Sequence, residues 1–395
     1  MKDLLLKYDD KLVRSGMAEP GSILLGGLDD SVTWNRIDPL CPGLEEVLAG
    51  LSVNSILFAR PAEPYFSMIS LLAGEGAGMI RPSDCETRTF LHDIPVASGM
   101  VAPELIHSLR RRKSVVVPGR GVVTWGTVSP EQAFITFSSV CFACFVKFFS
   151  DCLEAARGRG LALRQRETLA LATSLLDDLP AGPQGLAQGP FTTEAEVRNA
   201  MAEAGLRTVE LRLVDSFFGN ISYLLDGILY ISQTTSSLDE LAGAIDACPL
   251  DGSACTGITA SSEYSAHVGI LRGMDRGGVL HGHPRFSVIM SMLCGREGCS
   301  GRGSCHIRCP VERLVEGIPV VPGEVGTGPY GLCNSLPRAM EGGDAAMVYG
   351  HGVFARAGGD FRGALGTMLD AERACRTACL DLLGSSPSGG SGSRG

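Results

Sequence analysis

One stretch of the chain is apolar on almost every face of the helix that it predicts. Residues 133–146 read AFITFSSVCFACFV and are followed by Lys147. The stretch is shorter than the roughly 20 apolar residues that a membrane-spanning helix needs. We therefore predict a buried helix here rather than a membrane span, and we expect no membrane partner.

Polar and apolar positions predict a helix followed by strands in the second half of the chain. Thr192 or Thr193 stands before two glutamates, a pattern typical of a helix start. The alternation over residues 208–213 predicts a strand. Asp226-Gly227 separates the apolar residues 221–223 from 228–231, which is a strong signal for a β-hairpin.

Several apolar segments of the first half recur in the same order in the second half. The segments 56–61, 94–96 and 114–122 correspond to 279–284, 318–320 and 346–353. This pattern favours a tandem duplication, and chance similarity between Gly-rich strands is the alternative. The first copy lacks a recognisable equivalent of the Asp226-Gly227 hairpin.

Length and charge limit the organisation further. A chain of 395 residues exceeds one ordinary core, which favours two domains. We predict domains over residues 1–180 and 191–383, a Pro/Gly-rich linker over 181–190 and a disordered Gly/Ser tail over 384–395. The net charge of −9 argues against nucleic acid as a partner.

The first residues contain no sustained apolar segment of the kind found in a secretory signal, so we expect a cytoplasmic protein. In a reducing compartment the 14 cysteines are expected to be thiols or metal ligands rather than disulfides.

Histidines are concentrated in two short patterns. Three of the seven lie in His281-Gly282-His283, at a predicted strand end, and in Gly350-His351-Gly352. Because alternate residues of a strand point the same way, two imidazoles can meet a third from a neighbouring strand. With Glu263, the set suits zinc, and manganese, iron or cobalt would fit the same ligands. The alternative is that these are surface or hydrogen-bonding histidines on Gly-rich turns.

These motifs carry a resemblance to a known family. Gly219-Asn220-Ile221-Ser222, Ser261-Ser262-Glu263, His281-Gly282-His283-Pro284 and Gly350-His351-Gly352-Val353 resemble, in order and spacing, the class II aldolase/adducin family. The resemblance covers residues 194–383 and implies a zinc ion held by Glu263, His281, His283 and His351. It also implies a substrate phosphate bound by Asn220, Ser261 and Ser262, to which Ser222 and Thr234 are added as candidates. Family members usually have Thr-Gly where this chain reads Gln233-Thr234-Thr235-Ser236.

The resemblance implies a metal-dependent aldolase that cleaves a phosphorylated ketose or a similar hydroxy-carbonyl compound through a metal-stabilised enediolate. No lysine follows Lys147, so no Schiff base can form in the second half. Glu263 is the candidate proton-transferring base, and Tyr330 or Tyr264 is the candidate acid. His267 is expected behind the ligands rather than among them. An epimerase on the same scaffold and a non-catalytic adducin-like binding protein are the alternatives.

For the fold, the resemblance implies two three-layer αβα domains with mixed, largely antiparallel sheets. In the first copy Phe58, Arg60 and Arg120 stand where the second has its three histidines, so that copy cannot hold the metal. We expect it to serve as a partner surface, and a second anion site is the alternative. The two halves are expected to pack like adjacent subunits of the family's ring, so that a homodimer forms a pseudo-tetramer.

A cysteine-rich insertion over residues 294–310 separates the His281-Gly282-His283 motif from the next repeat. Its four cysteines are Cys294, Cys299, Cys305 and Cys309. Their number in a short Gly-rich segment favours a second metal, either zinc or an iron–sulfur cluster. The spacing matches neither a standard zinc pair nor a ferredoxin run, so plain thiols or disulfides are the alternative.

Overall fold

The computed structural model describes residues 1–75, 78–214, 217–254, 256–323 and 328–384. The chain divides into two units, Met1–Asp177 and Asp178–Gly384. The stretch 181–190, predicted as a linker, lies within the second unit. There the Gly189 N–H donates to Asp360 and the Arg207 guanidinium donates to the Gln184 carbonyl. Of the predicted tail, Gly384 ends the last helix and the rest lies outside the described residues.

The first unit is a mixed α/β fold. Its helices are α1 (Lys2–Arg14), α2 (Cys41–Leu51), α3 (Tyr65–Glu75), α4 (Cys85–Leu91), α5 (Ala102–Leu109), α6 (Pro130–Arg157) and α7 (Leu163–Ser174). Its strands are β1 (Leu24–Leu28), β2 (Val32–Trp34), β3 (Ser55–Ala59), β4 (Met79–Ile80), β5 (Ile94–Pro95), β6 (Ser114–Val117) and β7 (Gly121–Gly126). The main sheet has the order β2-β1-β3-β7-β6 and is antiparallel throughout.

The second unit contains a larger sheet. Its helices are α8 (Glu194–Glu210), α9 (Tyr264–Ile270), α10 (Arg285–Met292), α11 (Leu332–Ala339) and α12 (Phe361–Gly384). Its strands are β8 (Asn220–Leu225), β9 (Ile228–Ser232), β10 (Ile245–Pro249), β11 (Arg276–Gly282), β12 (Leu314–Val315), β13 (Ile318–Val321), β14 (Ala345–Val348) and β15 (Gly352–Ala357). They are ordered β10-β9-β8-β11-β15-β14-β13-β12, and β13 and β14 run parallel.

Side chains of this sheet alternate between two cores. Tyr223 and Leu280 belong to a core with α8 and α12, whereas their neighbours Leu224 and Val279 belong to a core with α9 and α11. Because successive strand residues face opposite sides, helices cover both faces of the sheet. The second unit is therefore the predicted three-layer αβα fold with a mixed, largely antiparallel sheet.

The two units share a strand order. The order β2-β1-β3-β7-β6 corresponds strand for strand to β9-β8-β11-β15-β14. The registers agree as well, since Ala59 pairs with Val122 as Gly282 pairs with Val353. Even the short Ile-Pro repeat is matched, because β5 pairs with β4 as β13 pairs with β12. This agreement supports the tandem duplication.

Two sequence expectations are wrong. The first copy does contain the hairpin, because β1 and β2 pair around residues 29–31, a turn without the Asp-Gly signal. Residues 208–213 do not form a strand, because α8 continues to Glu210. Thr208 is buried one helical turn beyond Ala204, and its hydroxyl donates to the Ala204 carbonyl. Helix α8 starts at the capping box of Thr193, and its buried residues follow helical spacing up to Thr208. This longer helical pattern outweighs the short strand-like alternation over residues 208–213.

The apolar stretch 133–146 lies in α6, as predicted. Among the described residues, α6 alone has the length and composition to cross a membrane, and 83% of its most apolar window is buried in the protein. It contacts α1, α3 and α4 as well as β3 and β7, all in the first unit. Elements of the first unit therefore cover this helix on more than one side.

Candidate metal centre

Three histidines converge where two central strands of the second unit meet. His281 lies in β11, and His283 follows the end of this strand. His351 lies in the turn before β15, the antiparallel neighbour of β11, in which Val353 pairs with Gly282. The strand pairing therefore brings His351 to the end of β11 at which the other two histidines lie.

Gly352 permits this close approach. A Cβ atom at Gly352 would lie 2.3 Å from the Gly282 carbonyl oxygen and 2.8 and 2.9 Å from the rings of His283 and His281. No side chain fits at such distances. The glycine of the Gly-His-Gly motif is thus required by the packing of the histidines themselves.

The nitrogen and oxygen atoms of the cluster have the spacing of ligands around one ion. Ligand atoms of the three histidines lie within 4.8 Å of one another. The Nε2 atoms of His281 and His283 are 3.1 Å apart, and Glu263 oxygens lie 3.4 Å from His281 Nε2 and 3.7 Å from His351 Nε2. Tetrahedral zinc with bonds near 2.0–2.1 Å would separate its ligand atoms by about 3.3 Å. The residues therefore fit a tetrahedral cation.

The protonation states of the histidines also favour the binding of a cation. His281 Nδ1 lies 3.0 Å from the Val353 carbonyl, which fixes the proton there and leaves the Nε2 lone pair toward the cluster. Burial lowers the pKa of His281 to about 4 and the pKa of His283 well below its usual value. These two imidazoles are therefore neutral at neutral pH, as metal ligands must be.

Glu263 supplies the negative charge. Burial alone would raise its pKa, but the facing His281 and His351 and the Asn220 amide outweigh burial and lower the pKa of this carboxyl. The side chain is 5% exposed, and within the described part of the chain its Oε1 has no hydrogen-bond partner. A buried carboxylate oxygen without a donor is costly, and a cation would satisfy it.

A hydrogen-bonded chain fixes the other Glu263 oxygen. Asn220 Nδ2 donates to Glu263 Oε2 over 2.6 Å, and Asn220 Oδ1 lies 2.5 Å from His267 Nε2. Since an amide oxygen can only accept, His267 Nε2 carries the proton, and its Nδ1 accepts from the Ser222 hydroxyl at 2.7 Å. Burial lowers the pKa of His267 to about 3, so the ring is neutral. His267 thus lies behind the carboxylate, as expected from the sequence.

The predicted phosphate ligands fall into two groups. Asn220 and Ser222 are buried in the chain just described. Ser261 is buried, and its hydroxyl accepts the Glu263 N–H at 3.3 Å. Ser262 and Thr234 are exposed. The last two hydroxyls are therefore the ones open to a ligand in this structure.

Tyr330, the candidate acid, lies in a turn before α11. Its side chain is 39% exposed, and the Arg308 guanidinium lies 5.2 Å from the centre of its ring. Tyr264, the other candidate, begins α9 directly after Glu263, and burial raises the pKa of its phenol.

The cysteine insertion is not assembled as a metal site. In the described chain the histidine trio is the only group of three or more such side chains with mutually close ligand atoms, so no three of the four sulfurs meet. Cys305 instead contacts the Gly301 carbonyl through its thiol, at 3.7 Å. The four are free thiols. The second metal predicted from the number of cysteines therefore has no assembled set of ligands among these four sulfurs.

Glu372 of α12 is a buried charged residue to which none of the sequence motifs points. This carboxylate is 6% exposed and accepts hydrogen bonds from residues 286 and 287, just after the His281-Gly282-His283 motif. The signal was present, because Glu372 continues the buried stripe of Leu365, Met368 and Leu369 at helical spacing. A charged residue within a buried stripe indicates a specific partner.

Comparison with known proteins agrees with the motifs. Residues 199–379 match the family described as Class II Aldolase and Adducin N-terminal domain. No curated protein matches the chain. Among solved structures, L-fuculose-1-phosphate aldolase from Thermus thermophilus is 20% identical over 50% of this chain and 100% of its own, with a TM-score of 0.39. YgbL, a putative aldolase/epimerase/decarboxylase from Escherichia coli, is 22% identical over 48% and 90%, with a TM-score of 0.38. The sugar-phosphate aldolase from Thermotoga maritima is 18% identical over 48% and 96%, with a TM-score of 0.34.

Proposed function

We propose, from the premise that residues 199–379 belong to the class II aldolase and adducin family, that this protein is a metal-dependent carbon–carbon lyase. Its substrate would be a phosphorylated ketose or a similar hydroxy-carbonyl compound. The observation that carries the proposal is the buried cluster of three histidines around a carboxylate whose Oε1 has no donor among the described residues. A binding protein would gain nothing from so costly an arrangement.

His281, His283, His351 and Glu263 would hold the divalent ion. Zinc suits three imidazoles and one carboxylate best, with manganese, iron or cobalt as alternatives. When bound, the ion supplies a Lewis acid that stabilises the negative charge left on the substrate as the carbon–carbon bond breaks. Without a lysine in the second half, no side chain there offers the covalent alternative.

Glu263 would act as the proton-transferring base when it is not bound to the ion, since an oxygen that ligates the ion cannot take up a proton. It is ionised because its pKa is lowered, and the Asn220 amide holds one of its oxygens while leaving the other toward the cluster. A base needs this combination of correct protonation and fixed direction. Tyr330 is the proposed acid for the leaving group.

The exposed hydroxyls of Ser262 and Thr234 are the proposed contacts of the substrate phosphate, with Ser261 behind them. Asn220 and Ser222, assigned to the phosphate by family resemblance, are engaged by Glu263 and His267 here. We therefore propose that the main role of Asn220 and Ser222 is to orient the Glu263 carboxylate.

We propose that the first unit binds no metal and serves as a partner surface, since Phe58, Arg60 and Arg120 stand at its histidine positions. We propose a homodimer that forms a pseudo-tetramer, which light scattering of the purified protein would test. The free thiols of the described cysteines are compatible with the proposed cytoplasmic location.

The experiment combines metal analysis with a substrate screen. Purified protein should contain one equivalent of a divalent ion, and His283→Ala should lose it, whereas His107→Ala, an exposed histidine of α5, should retain it. Phosphorylated ketoses are then screened for release of an aldehyde. Glu263→Gln should keep the fold but lose turnover, since an amide cannot take up the proton. Full turnover by this variant would exclude Glu263 as the base, and epimerised product without cleavage would favour the epimerase.

A further inference from the structure

Helix α10 begins two residues after His283, and its first turn is held by Glu372 of α12. The Phe286 N–H donates to Glu372 Oε1 over 2.9 Å, and Ser287 donates to Oε2 from its N–H over 2.8 Å and from its hydroxyl over 2.9 Å. Both carboxylate oxygens are therefore used by the segment that directly follows the metal motif.

This contact buries a carboxyl group among apolar residues. Glu372 is 6% exposed, and burial raises the pKa of the carboxyl, opposed by its hydrogen bonds to Phe286 and Ser287 and by nearby Arg285. Charge-assisted hydrogen bonds at a helix N-terminus are among the strong ones and are directional. The carboxylate therefore fixes both the position and the direction of the start of α10.

The other end of α10 holds the second histidine motif. The Gly350 N–H donates to the Ser291 hydroxyl over 2.9 Å, and that hydroxyl donates to the Val288 carbonyl over 2.7 Å. Gly350 immediately precedes His351. The short helix thus connects the residue after one ligand motif with the residue before the last ligand.

We propose that Glu372 is a positioning residue, which through α10 sets the separation of His283 and His351 and thereby the affinity of the centre for a divalent cation. The inference rests on the proposed function, since it presumes that these histidines bind the ion. It adds a residue of α12 and a serine of α10 that neither the motifs nor the family assignment indicates.

The test measures metal binding without any substrate. Co²⁺ alone is titrated into the metal-free full chain, its ligand-field absorption is recorded, and the Kd for Zn²⁺ is measured by competition with a chelator. Glu372→Gln should weaken Zn²⁺ binding about tenfold or more and change the Co²⁺ spectrum, as loss of a supporting hydrogen bond around a metal site commonly does. Ser291→Ala should act in the same direction, and the double variant should be less than additive because both act through one helix.

Thr208→Ala is the matched control, because it removes a buried hydroxyl bond in the same unit, in α8. It should lower the unfolding temperature while leaving the Kd and the spectrum as in the wild type. If Glu372→Gln does not fold, Ser291→Ala decides alone. An unchanged Kd and spectrum in Glu372→Gln, or in Ser291→Ala where that variant decides, would overturn the inference but not the proposed function. Equal weakening by Thr208→Ala would also overturn it, and a wild type that binds neither ion would overturn both.

Discussion

Replacing Asn220 by alanine separates two roles for this side chain, support of the base and binding of the substrate phosphate. The substitution removes the 2.6 Å donation to Glu263 and the 2.5 Å acceptance from His267. Both partners are buried, at 5% and 0% exposure, so water does not replace the amide. Alanine therefore leaves a buried carboxylate oxygen and a buried ring N–H without partners.

The expected loss of stability follows from these two groups. A buried donor or acceptor left without a partner costs about 1–3 kcal/mol, and a charged one costs more. Together they predict a decrease of about 3–5 kcal/mol in the free energy of unfolding. The released carboxylate should also lose its orientation, so the Kd for Zn²⁺ should rise about tenfold or more.

Urea unfolding of the metal-free protein and chelator competition measure these two quantities, and Ser262→Ala is the control. Ser262 adjoins Glu263 but is exposed, so its loss should leave stability and Zn²⁺ affinity unchanged and raise only the KM of a phosphorylated substrate. If Asn220→Ala instead behaves like this control, with stability within about 0.5 kcal/mol of wild type, the supporting role is refuted.

Three further outcomes are expected. Burial lowers the pKa of His267 to about 3 and of His281 to about 4 from the usual 6.5, so below pH 6.5 the unfolded chain binds protons that the folded metal-free protein does not. Each histidine should then lower the unfolding free energy by about 1.4 kcal/mol per pH unit as pH falls from about 6.5 to 4, whereas Asp84, whose pKa burial raises to about 6, acts in the opposite direction. The slope is therefore compared with that of His267→Gln, and an equal slope in the two proteins would contradict the burial argument. Gly352→Ala should lower stability by about 1–3 kcal/mol and abolish metal binding because of the clash at 2.3 Å, whereas Gly342→Ala, with open space around it, should do neither on the same assays. The double variant Cys299→Ser with Cys305→Ser should retain the wild-type metal content. A loss of metal in elemental analysis would show that the cysteine insertion binds a metal.

Features carried by local pattern were predictable from the sequence. The hairpin at Asp226-Gly227 and the helix over 133–146 depend on neighbouring residues alone, and both are present. The convergence of His281 and His283 follows from strand alternation. The motif order then located His351 beside them, although nothing local to Gly350-His351-Gly352 fixes that contact.

Features that depend on tertiary partners were not predictable. Whether Asn220 faces a phosphate or a carboxylate is decided by α9, which brings Glu263 and His267 against β8. Likewise, the partners of Glu372, the N–H groups at the start of α10, are known only once α12 packs on α10. In each case a polar side chain in an apolar stripe signals that a partner exists, but its identity requires the fold.

The two units together show that the polar cluster is not a requirement of the fold. Leu24 and Phe58 occupy in the first sheet the register positions of Asn220 and His281 in the second, and both belong to the apolar core there. The same strand order therefore closes with hydrophobic residues at the positions where the second unit buries an amide and an imidazole. Exchanging buried polar groups for well-packed apolar ones is often neutral or stabilising. Burying polar groups lowers the stability of the second unit, and the first unit forms the same strand order without them. This combination is expected of side chains whose role is to bind a ligand.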